Sequence, residues 1–156
     1  MLNLNFKMTQ KERMLLEDQK KHEQLCIQKY QSYASQTQDP QLQQLFRSHA
    51  LQEQEHLNTI NQLLNGQIPS ISQQNSSQPQ YQQMSQQQGA GNQADAYLCN
   101  DLLSTEKYVS STYDTAIFEF TNPQVRQILN HIQKEEQKHG EEIFLYMQSH
   151  GMYNPQ

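Results

Sequence analysis

The sequence predicts an all-α fold, a four-helix bundle made of two repeated helix hairpins joined by a long Gln-rich crossover linker. Three observations support this prediction. Apolar residues recur at alternating steps of three and four, capping residues mark four helix starts, and the two halves align without a gap at an offset of 83 residues. With 5 Gly and 5 Pro in 156 residues, turn material is too scarce for a fold of many short strands.

Each predicted helix begins at a side chain that can accept hydrogen bonds from free backbone amides. The four starts are Thr9 with its capping-box partner Glu12, Asp39 before Pro40, Asp95, and Asn122 before Pro123. The helices are therefore predicted over residues 10–36, 40–65, 96–120 and 123–149. Gly66 and Gly151 are placed where the second and fourth helices should end.

A stretch rich in Gln, Ser, Asn and Gly, residues 67–93, separates the two halves. It cannot bury enough apolar surface to offset its chain entropy, so we expect a disordered linker. Its coil span of ~30 Å approaches the ~39 Å length of a 26-residue helix, so it can cross the bundle from end to end. We expect one four-helix-bundle domain over residues 1–151, with hairpins 9–66 and 94–151 and a tail at 152–156.

Composition and charge exclude several classes of function. The net charge is -5, and no face is built to neutralise phosphates, so we expect no nucleic-acid partner. No apolar run approaches the ~18 residues of a membrane span, and Met1 to Arg13 lack the apolar core of a signal peptide. Cys26 and Cys99 lack metal-site spacing and are interpreted as small buried residues.

The internal repeat is most selective at polar positions on the apolar stripes. Glu53-x2-His56 of the second helix aligns with Glu136-x2-His139 of the fourth. Glu and His three residues apart lie on one helix face, so each pair can offer an oxygen and a nitrogen to one ion. A single motif of this kind is usually a solvated face, but two at matched positions argue against coincidence.

The other two helices supply one Glu each, Glu23 and Glu106, at heights that match the two motifs. Two Glu and two Glu-x2-His motifs form the ligand set of ferritin-like di-iron and di-manganese proteins. Four carboxylates in an apolar seam need neutralising charge, which two divalent cations would supply. We therefore predict a dinuclear site for Fe or Mn, with a metal-free relic of such a site as the alternative.

Tyr30 and Tyr113 lie two turns after the two lone Glu residues, on the same helix faces. They are interpreted either as groups behind the metal ligands or as ordinary buried tyrosines with a bonded hydroxyl. His49 lies one turn before Glu53 and aligns with Ile132, so a core role is favoured for it.

The stretch from Ala96 to Tyr153 resembles the spore coat protein F family. The resemblance is carried by Asp101-Leu102-Leu103, Glu106-Lys107, Tyr113-Asp114, Asn122-Pro123, Arg126, Glu135-Glu136, His139, Tyr146-Met147 and Gly151-Met152-Tyr153. It covers about 58 residues strongly, and the first half resembles the family mainly through the internal repeat. The resemblance implies a ferritin-like fold and a component of the protein shell around bacterial endospores.

Three functions follow as hypotheses. The first is a structural spore coat component, made in the mother-cell cytoplasm, with other coat proteins or further copies of this chain as partners. The second is a dinuclear Fe or Mn oxidoreductase that oxidises Fe(II) or consumes peroxide. The third, metal storage in a cage, is disfavoured because the sequence offers no recognisable fifth helix. Family resemblance favours the first, and whether the protein is an enzyme stays open.

Overall fold

The computed structural model describes residues 6–70 and 92–153, and this part of the chain contains four α-helices and no other helix or strand. They are α1 (Gln10–Gln36), α2 (Pro40–Leu64), α3 (Gln93–Glu119) and α4 (Pro123–Ser149). The all-α prediction is confirmed, and the predicted bounds of α1, α2 and α4 agree to within one residue. Residues 71–91 of the predicted linker lie outside the described part of the chain.

The predicted N-terminal cap of α1 is confirmed, and the predicted cap of α3 is wrong. The Thr9 hydroxyl accepts from the Glu12 amide at 3.1 Å, and the Glu12 carboxylate accepts from the Thr9 amide at 2.8 Å. In α3 the cap is Asn92, whose side-chain oxygen accepts from the Ala94 amide at 2.8 Å. Asp95 is instead buried within the first turn, where its carboxylate faces the positive end of the helix dipole. The prediction failed because Asn92 belongs by composition to the Gln-rich stretch.

α2 and α4 begin and end in the same way. The side chains of Asp39 and Asn122 accept backbone amide hydrogens at the two starts, ahead of a proline at the first helical position. Gly66 and Gly151 follow the two helices with φ of 78° and 68°. Only glycine adopts this backbone conformation without steric strain, so both helices end where the sequence predicts.

The two hairpins pack side by side, α1 against α3 and α2 against α4. α1 and α3 run antiparallel. Glu12 near the start of α1 accepts a hydrogen bond from the Thr121 amide beyond the end of α3. Tyr33 near the end of α1 donates one to Asp101 in the first turns of α3.

α2 and α4 are antiparallel as well, since Tyr146 near the end of α4 donates a hydrogen bond to Asp39 at the start of α2. α2 and α3 are each antiparallel to α1 and therefore run parallel to one another. The end of α2 and the start of α3 consequently lie at opposite ends of the bundle. A connection across the bundle, as the sequence predicts, is required by this topology.

The interior of the bundle is mainly apolar toward both ends, where Glu12 and Asp95 are the buried acidic exceptions, and it is polar at its middle. The largest fully buried side chains are Tyr30, Tyr113, Tyr146, Phe46, Phe120, Leu16, Leu42, Ile60, Leu63, Leu102, Leu129 and Ile132. Cys26 and Cys99 are buried free thiols, as predicted. The buried polar side chains at mid-height include every residue singled out in the sequence as a metal ligand.

Candidate metal centre

Four helices place six ionisable side chains at one height in the core. α1 and α3 each supply one carboxylate, Glu23 and Glu106, which we call the terminal glutamates. α2 and α4 each supply a Glu and a His one turn apart. We call Glu53 and Glu136 the shared glutamates, because each belongs to both groups of possible ligands described below. All six side chains are at most 3% exposed.

The first group of possible ligands surrounds His56. Its Nδ1 lies 2.7 Å from Glu136 Oε1, 3.7 Å from Glu23 Oε2 and 3.8 Å from Glu53 Oε1. The second group surrounds His139, whose Nδ1 lies 2.7 Å from Glu53 Oε1 and 3.3 Å from Glu106 Oε1. Each histidine is therefore closest to the shared glutamate of the opposite hairpin.

Two sets of four side chains could each hold a metal ion, with all ligand atoms of a set within 4.8 Å of one another. One set is Glu23, Glu53, His56 and Glu136, and the other is Glu53, Glu106, Glu136 and His139. The shared glutamates belong to both sets. The structure thus brings all six predicted ligands together, in two adjoining groups of the kind that a dinuclear site requires.

Most of the ligand atoms face one another without forming hydrogen bonds, the exception being His139 Nδ1 with Glu106 Oε1 at 3.3 Å. Among the described residues, the buried side-chain oxygens and nitrogens that lack a hydrogen-bond partner are Glu23 Oε2, both oxygens of Glu53, His56 Nδ1, Glu106 Oε2, both oxygens of Glu136, and His49 Nδ1. All but the last belong to the six side chains. The 2.7 Å contacts lack the angles of hydrogen bonds. Unsatisfied buried carboxylate oxygens are costly, so the donor set fits a pair of cations.

Burial sets the protonation of the shared glutamates. For both, burial raises the pKa well above its ordinary range, and repulsion from the neighbouring carboxylates raises it further. The terminal glutamates behave in the opposite way. Burial raises their pKa, but the close contacts of the neighbouring glutamate and histidine and the tyrosine hydrogen bond outweigh it, and the net shift is downward.

Burial lowers the pKa of both histidines, but their carboxylate contacts outweigh it. The net pKa of His56 is raised well above the usual range by Glu135, Glu136 and Glu23. That of His139 is raised by Glu106 and Glu136. Without metal, these shifts favour ionisation of the terminal glutamates and protonation of the shared glutamates and the two histidines.

Tyr30 and Tyr113 link the two hairpins at the site. The Tyr30 hydroxyl donates to Glu106 Oε1 at 2.6 Å, and the Tyr113 hydroxyl donates to Glu23 Oε1 at 2.5 Å. Each tyrosine thus holds the terminal glutamate of the other hairpin. Burial and the adjacent carboxylates raise both tyrosine pKa values well above 10, so both hydroxyls stay protonated and act as donors. Both interpretations made from the sequence fit this geometry.

Sequence reasoning missed the groups behind the two histidines. His56 Nε2 lies 3.1 Å from the Glu135 carboxylate, and His139 Nε2 bonds the side-chain oxygen of Gln52. A carboxylate and an amide oxygen only accept hydrogen bonds, so both Nε2 atoms donate. This arrangement directs Nδ1 of each ring to the glutamates, as an outer partner does for a metal-bound histidine. The signal was present, because Gln52 and Glu135 align at the offset of 83.

His49 also lies at the site, though its aligned partner is Ile132. Its ring stacks on His139 with centroids 4.1 Å apart, and its Nε2 lies 3.4 Å from Glu142 Oε2. Burial and the charge of His139 lower its pKa well below the usual value, so the ring is neutral. A core role for His49 agrees with this environment, but its contact with a predicted ligand was not foreseen.

The chain was compared with known proteins. A family model described as the Coat F domain matches residues 94–156, which comprise α3, α4 and the C-terminal residues. The resemblance found in the sequence is confirmed for this half of the chain. No curated protein and no solved structure matches. Within the described residues, none of the helices has the length and apolar character needed to cross a membrane.

Proposed function

We propose that this chain, whose second hairpin matches the Coat F domain model, is a structural component of the bacterial endospore coat braced by a dinuclear metal centre. The domain match supports the coat role, because a Coat F domain indicates a component of the spore coat. The proposed partners are other coat proteins or further copies of this chain. The proposed location is the spore coat, after synthesis in the mother-cell cytoplasm.

The metal centre rests on one observation, the set of buried carboxylate oxygens without hydrogen-bond partners at the middle of the bundle. Without metal, the four glutamates share only two histidines, so the shared glutamates stay buried as acids whose oxygens have no hydrogen-bond partner, which is costly. Two divalent cations would supply four positive charges to four carboxylates. A centre of this kind would join all four helices and both hairpins, as a building block of a durable shell requires.

The ligand assignment follows from the two groups. Glu23 with His56 would hold one ion, Glu106 with His139 the other, and the shared glutamates both. Oxygen and imidazole donors suit Fe or Mn. Burial and the surrounding carboxylates raise the pKa of Cys26, so it stays a neutral thiol and supplies no thiolate. When bound, Fe or Mn ions would supply one-electron redox chemistry.

The two tyrosines favour a second candidate function, a dinuclear Fe or Mn oxidoreductase that oxidises Fe(II) or consumes peroxide. Each buried hydroxyl bonds directly to a terminal glutamate, at 2.6 Å and 2.5 Å. A phenol so placed can transfer its proton to the bonded carboxylate as it loses an electron to the peroxide that such an enzyme would consume. A purely structural site needs no such oxidisable group beside each metal position.

The experiment that tests the metal centre is elemental analysis of protein purified without chelator, followed by thermal unfolding with and without Fe(II) or Mn(II). We expect about two ions per chain and a melting temperature that rises with metal concentration. Glu53→Gln with Glu136→Gln should abolish both effects. Exposed carboxylates of the same two helices provide the matched control, Glu55→Gln with Glu141→Gln, which should change neither.

Metal-free protein that also refuses added Fe(II) and Mn(II) would contradict the metal centre and leave the coat scaffold. Loaded protein that turns over neither Fe(II) nor peroxide would contradict the oxidoreductase. Localisation of a fluorescent fusion in sporulating cells tests the coat role separately. Signal spread through the mother cell, with none retained on mature spores, would contradict it.

A further inference from the structure

A cleft of about 660 Å³ lies between α3 and α4 and reaches the predicted ligands. Its lining includes Glu106 and Glu136, a terminal and a shared glutamate, which are 2% and 0% exposed. Asp114 and Lys107, also in the lining, are exposed. The cleft thus extends from the surface of the second hairpin to residues of the centre, but both Glu136 oxygens and Glu106 Oε2 are closed to water, so an ion must displace side chains at the inner end of the cleft to reach them.

The internal repeat shows which residues leave this space open. Gly140 on α4 aligns with Leu57 on α2, and Ser110 on α3 aligns with Ile27 on α1. Both Gly140 and Ser110 line the cleft. At the equivalent positions of the first hairpin the chain has larger apolar side chains, and Ile27 is only 9% exposed. The second hairpin therefore has two small residues, in place of two aliphatic side chains, in the lining that Glu106 and Glu136 share.

The geometry at Gly140 indicates that the cleft is a defined space between two helices that are bonded to each other. A Cβ added there would meet only the Leu103 side chain, at 3.7 Å, which is ordinary contact. Across the cleft, Gln133 Nε2 donates to the Ser110 carbonyl oxygen at 2.8 Å and ties α4 to α3. The walls are thus held together by a hydrogen bond, while the position that could fill the space carries no side chain.

The lining has the chemistry of a passage for hydrated cations. Three of its residues are acidic, Glu106, Glu136 and Asp114, against the single basic Lys107. Serine, threonine and glutamine side chains make up most of the rest. The volume of about 660 Å³ has room for a hydrated ion beside the two glutamates. Acidic clefts concentrate cations and raise their association rate.

We propose that divalent metal ions reach the centre through the α3–α4 cleft, so that the site is loaded from the face of the second hairpin. This inference rests on the proposed metal centre. It identifies Gly140 and Ser110 as the residues that keep the route open. Neither residue is a predicted ligand, so changing them should alter the rate of loading and not the number of ions held.

The test follows the uptake of Mn(II) by metal-free protein after mixing, through the loss of the EPR signal of free Mn(II). Gly140→Leu, which restores the residue of the first hairpin, should slow uptake at least tenfold and leave the final amount bound unchanged. Ser110→Ile should slow uptake in the same way through the other wall. Gly140→Ala should change the rate less than threefold, since its Cβ fits beside Leu103.

Leu57→Ala is the matched control in the first hairpin, and it should leave the rate unchanged. Uptake by Gly140→Leu and Ser110→Ile at the wild-type rate would overturn the route and leave the metal centre standing. Equal effects of Leu57→Ala and Gly140→Leu would also overturn it, because uptake would then follow opening of the whole bundle. Wild-type protein that takes up no Mn(II) would instead overturn the metal centre itself.

Discussion

The two hairpins supply the same ligands but surround them differently. Each gives one terminal glutamate, one shared glutamate and one histidine, and the pKa shifts of aligned residues have the same direction in both. Even the tyrosines correspond, since each bonds the terminal glutamate of the other hairpin. The inner arrangement is therefore close to two-fold symmetric in both sequence and charge.

The symmetry does not extend to the residues that contact these six side chains. Behind the histidines, a carboxylate in one half is opposed by an amide in the other, Glu135 against Gln52. Beside them, His49 is opposed by Ile132, and above them, Leu57 by Gly140. The comparison teaches that the six proposed ligands are matched in pairs, whereas their neighbours make the two proposed metal positions inequivalent.

The largest expected effect comes from removing one terminal ligand. Glu23→Gln and Glu106→Gln keep the shape and the tyrosine hydrogen bond but remove the charge. Each variant should bind one ion per chain in place of two. The affinity at the changed position should fall more than ~100-fold, which exceeds the loss caused by mutating a residue that only hydrogen-bonds a ligand. Equilibrium dialysis against Mn(II) with elemental analysis measures both numbers.

Glu17→Gln, an exposed carboxylate on α1, is the control for this pair of variants and should keep two ions. Two ions in both ligand variants would show that the terminal glutamates are not ligands. Loss of both ions in either variant would show that the two positions do not bind separately, and the comparison of halves would fail.

A second prediction concerns pH, and it should be the same for both halves. Metal binding must displace the protons of the shared glutamates and the histidines, so we expect about two protons released per ion and an affinity that rises up to ~100-fold per pH unit. Unbuffered Mn(II) titration at constant pH counts these protons. Release of clearly different numbers in the two binding steps would contradict the symmetry of the inner ligands.

The same shifts fix the pH dependence of stability without metal. The shared glutamates and the histidines have folded pKa values raised above 4.5 and 6.5. Their contribution to stability is therefore complete below these values and is lost as pH rises through the raised ones. The terminal glutamates, with lowered pKa, contribute above 4.5 and lose this as pH falls. The melting temperature of metal-free protein should thus fall as pH rises above neutrality, while its gain on adding Mn(II) grows.

A third prediction exchanges the outer partners of the histidines. Glu135→Gln should weaken binding at the His56 position ~10–100-fold, because a carboxylate makes the imidazole a better donor than an amide does. Gln52→Glu should strengthen the His139 position by a similar factor. Calorimetric titration with Mn(II) resolves the two steps.

Glu135 also lies 2.9 Å from the half-exposed His131, so His131→Gln serves as the control for loss of that ion pair and should leave both affinities unchanged. Equal Mn(II) affinities at the two positions of the wild-type protein, unchanged by either substitution, would contradict the inequivalence of the positions.

Much of this molecule could be predicted from its sequence because its signals are local or repeated. Capping residues and 3–4 spacing gave three helices nearly to the residue, and the offset of 83 identified the six side chains that converge. The cap of α3 failed because Asn92 adjoins a stretch of similar composition. His49 and the cleft could not be predicted, since each arises where the repeat is broken and depends on which side chains meet across helices.

The smallest expected effect comes from His49, where the two halves differ because the aligned residue is Ile132. His49 is 1% exposed, its Nδ1 has no hydrogen-bond partner, and its contact with Glu142 is long at 3.4 Å. His49→Ile installs the residue of the other half and removes an unsatisfied buried nitrogen, which costs ~1–3 kcal/mol. Lost stacking on His139 offsets part of this gain, so we expect the free energy of unfolding of metal-free protein to rise by about 1 kcal/mol, with two ions still bound.

The reciprocal change, Ile132→His, should be unfavourable, because the partner of Glu142 in the alignment is Thr59, which offers no carboxylate. The new imidazole would be buried in the core without an acidic partner, and we expect a loss of about 2 kcal/mol. Urea unfolding of both variants gives the two values. A loss of more than 2 kcal/mol in His49→Ile, or a loss of one ion, would instead make His49 part of the centre, and the two metal positions would then differ in their ligands and not only in their surroundings.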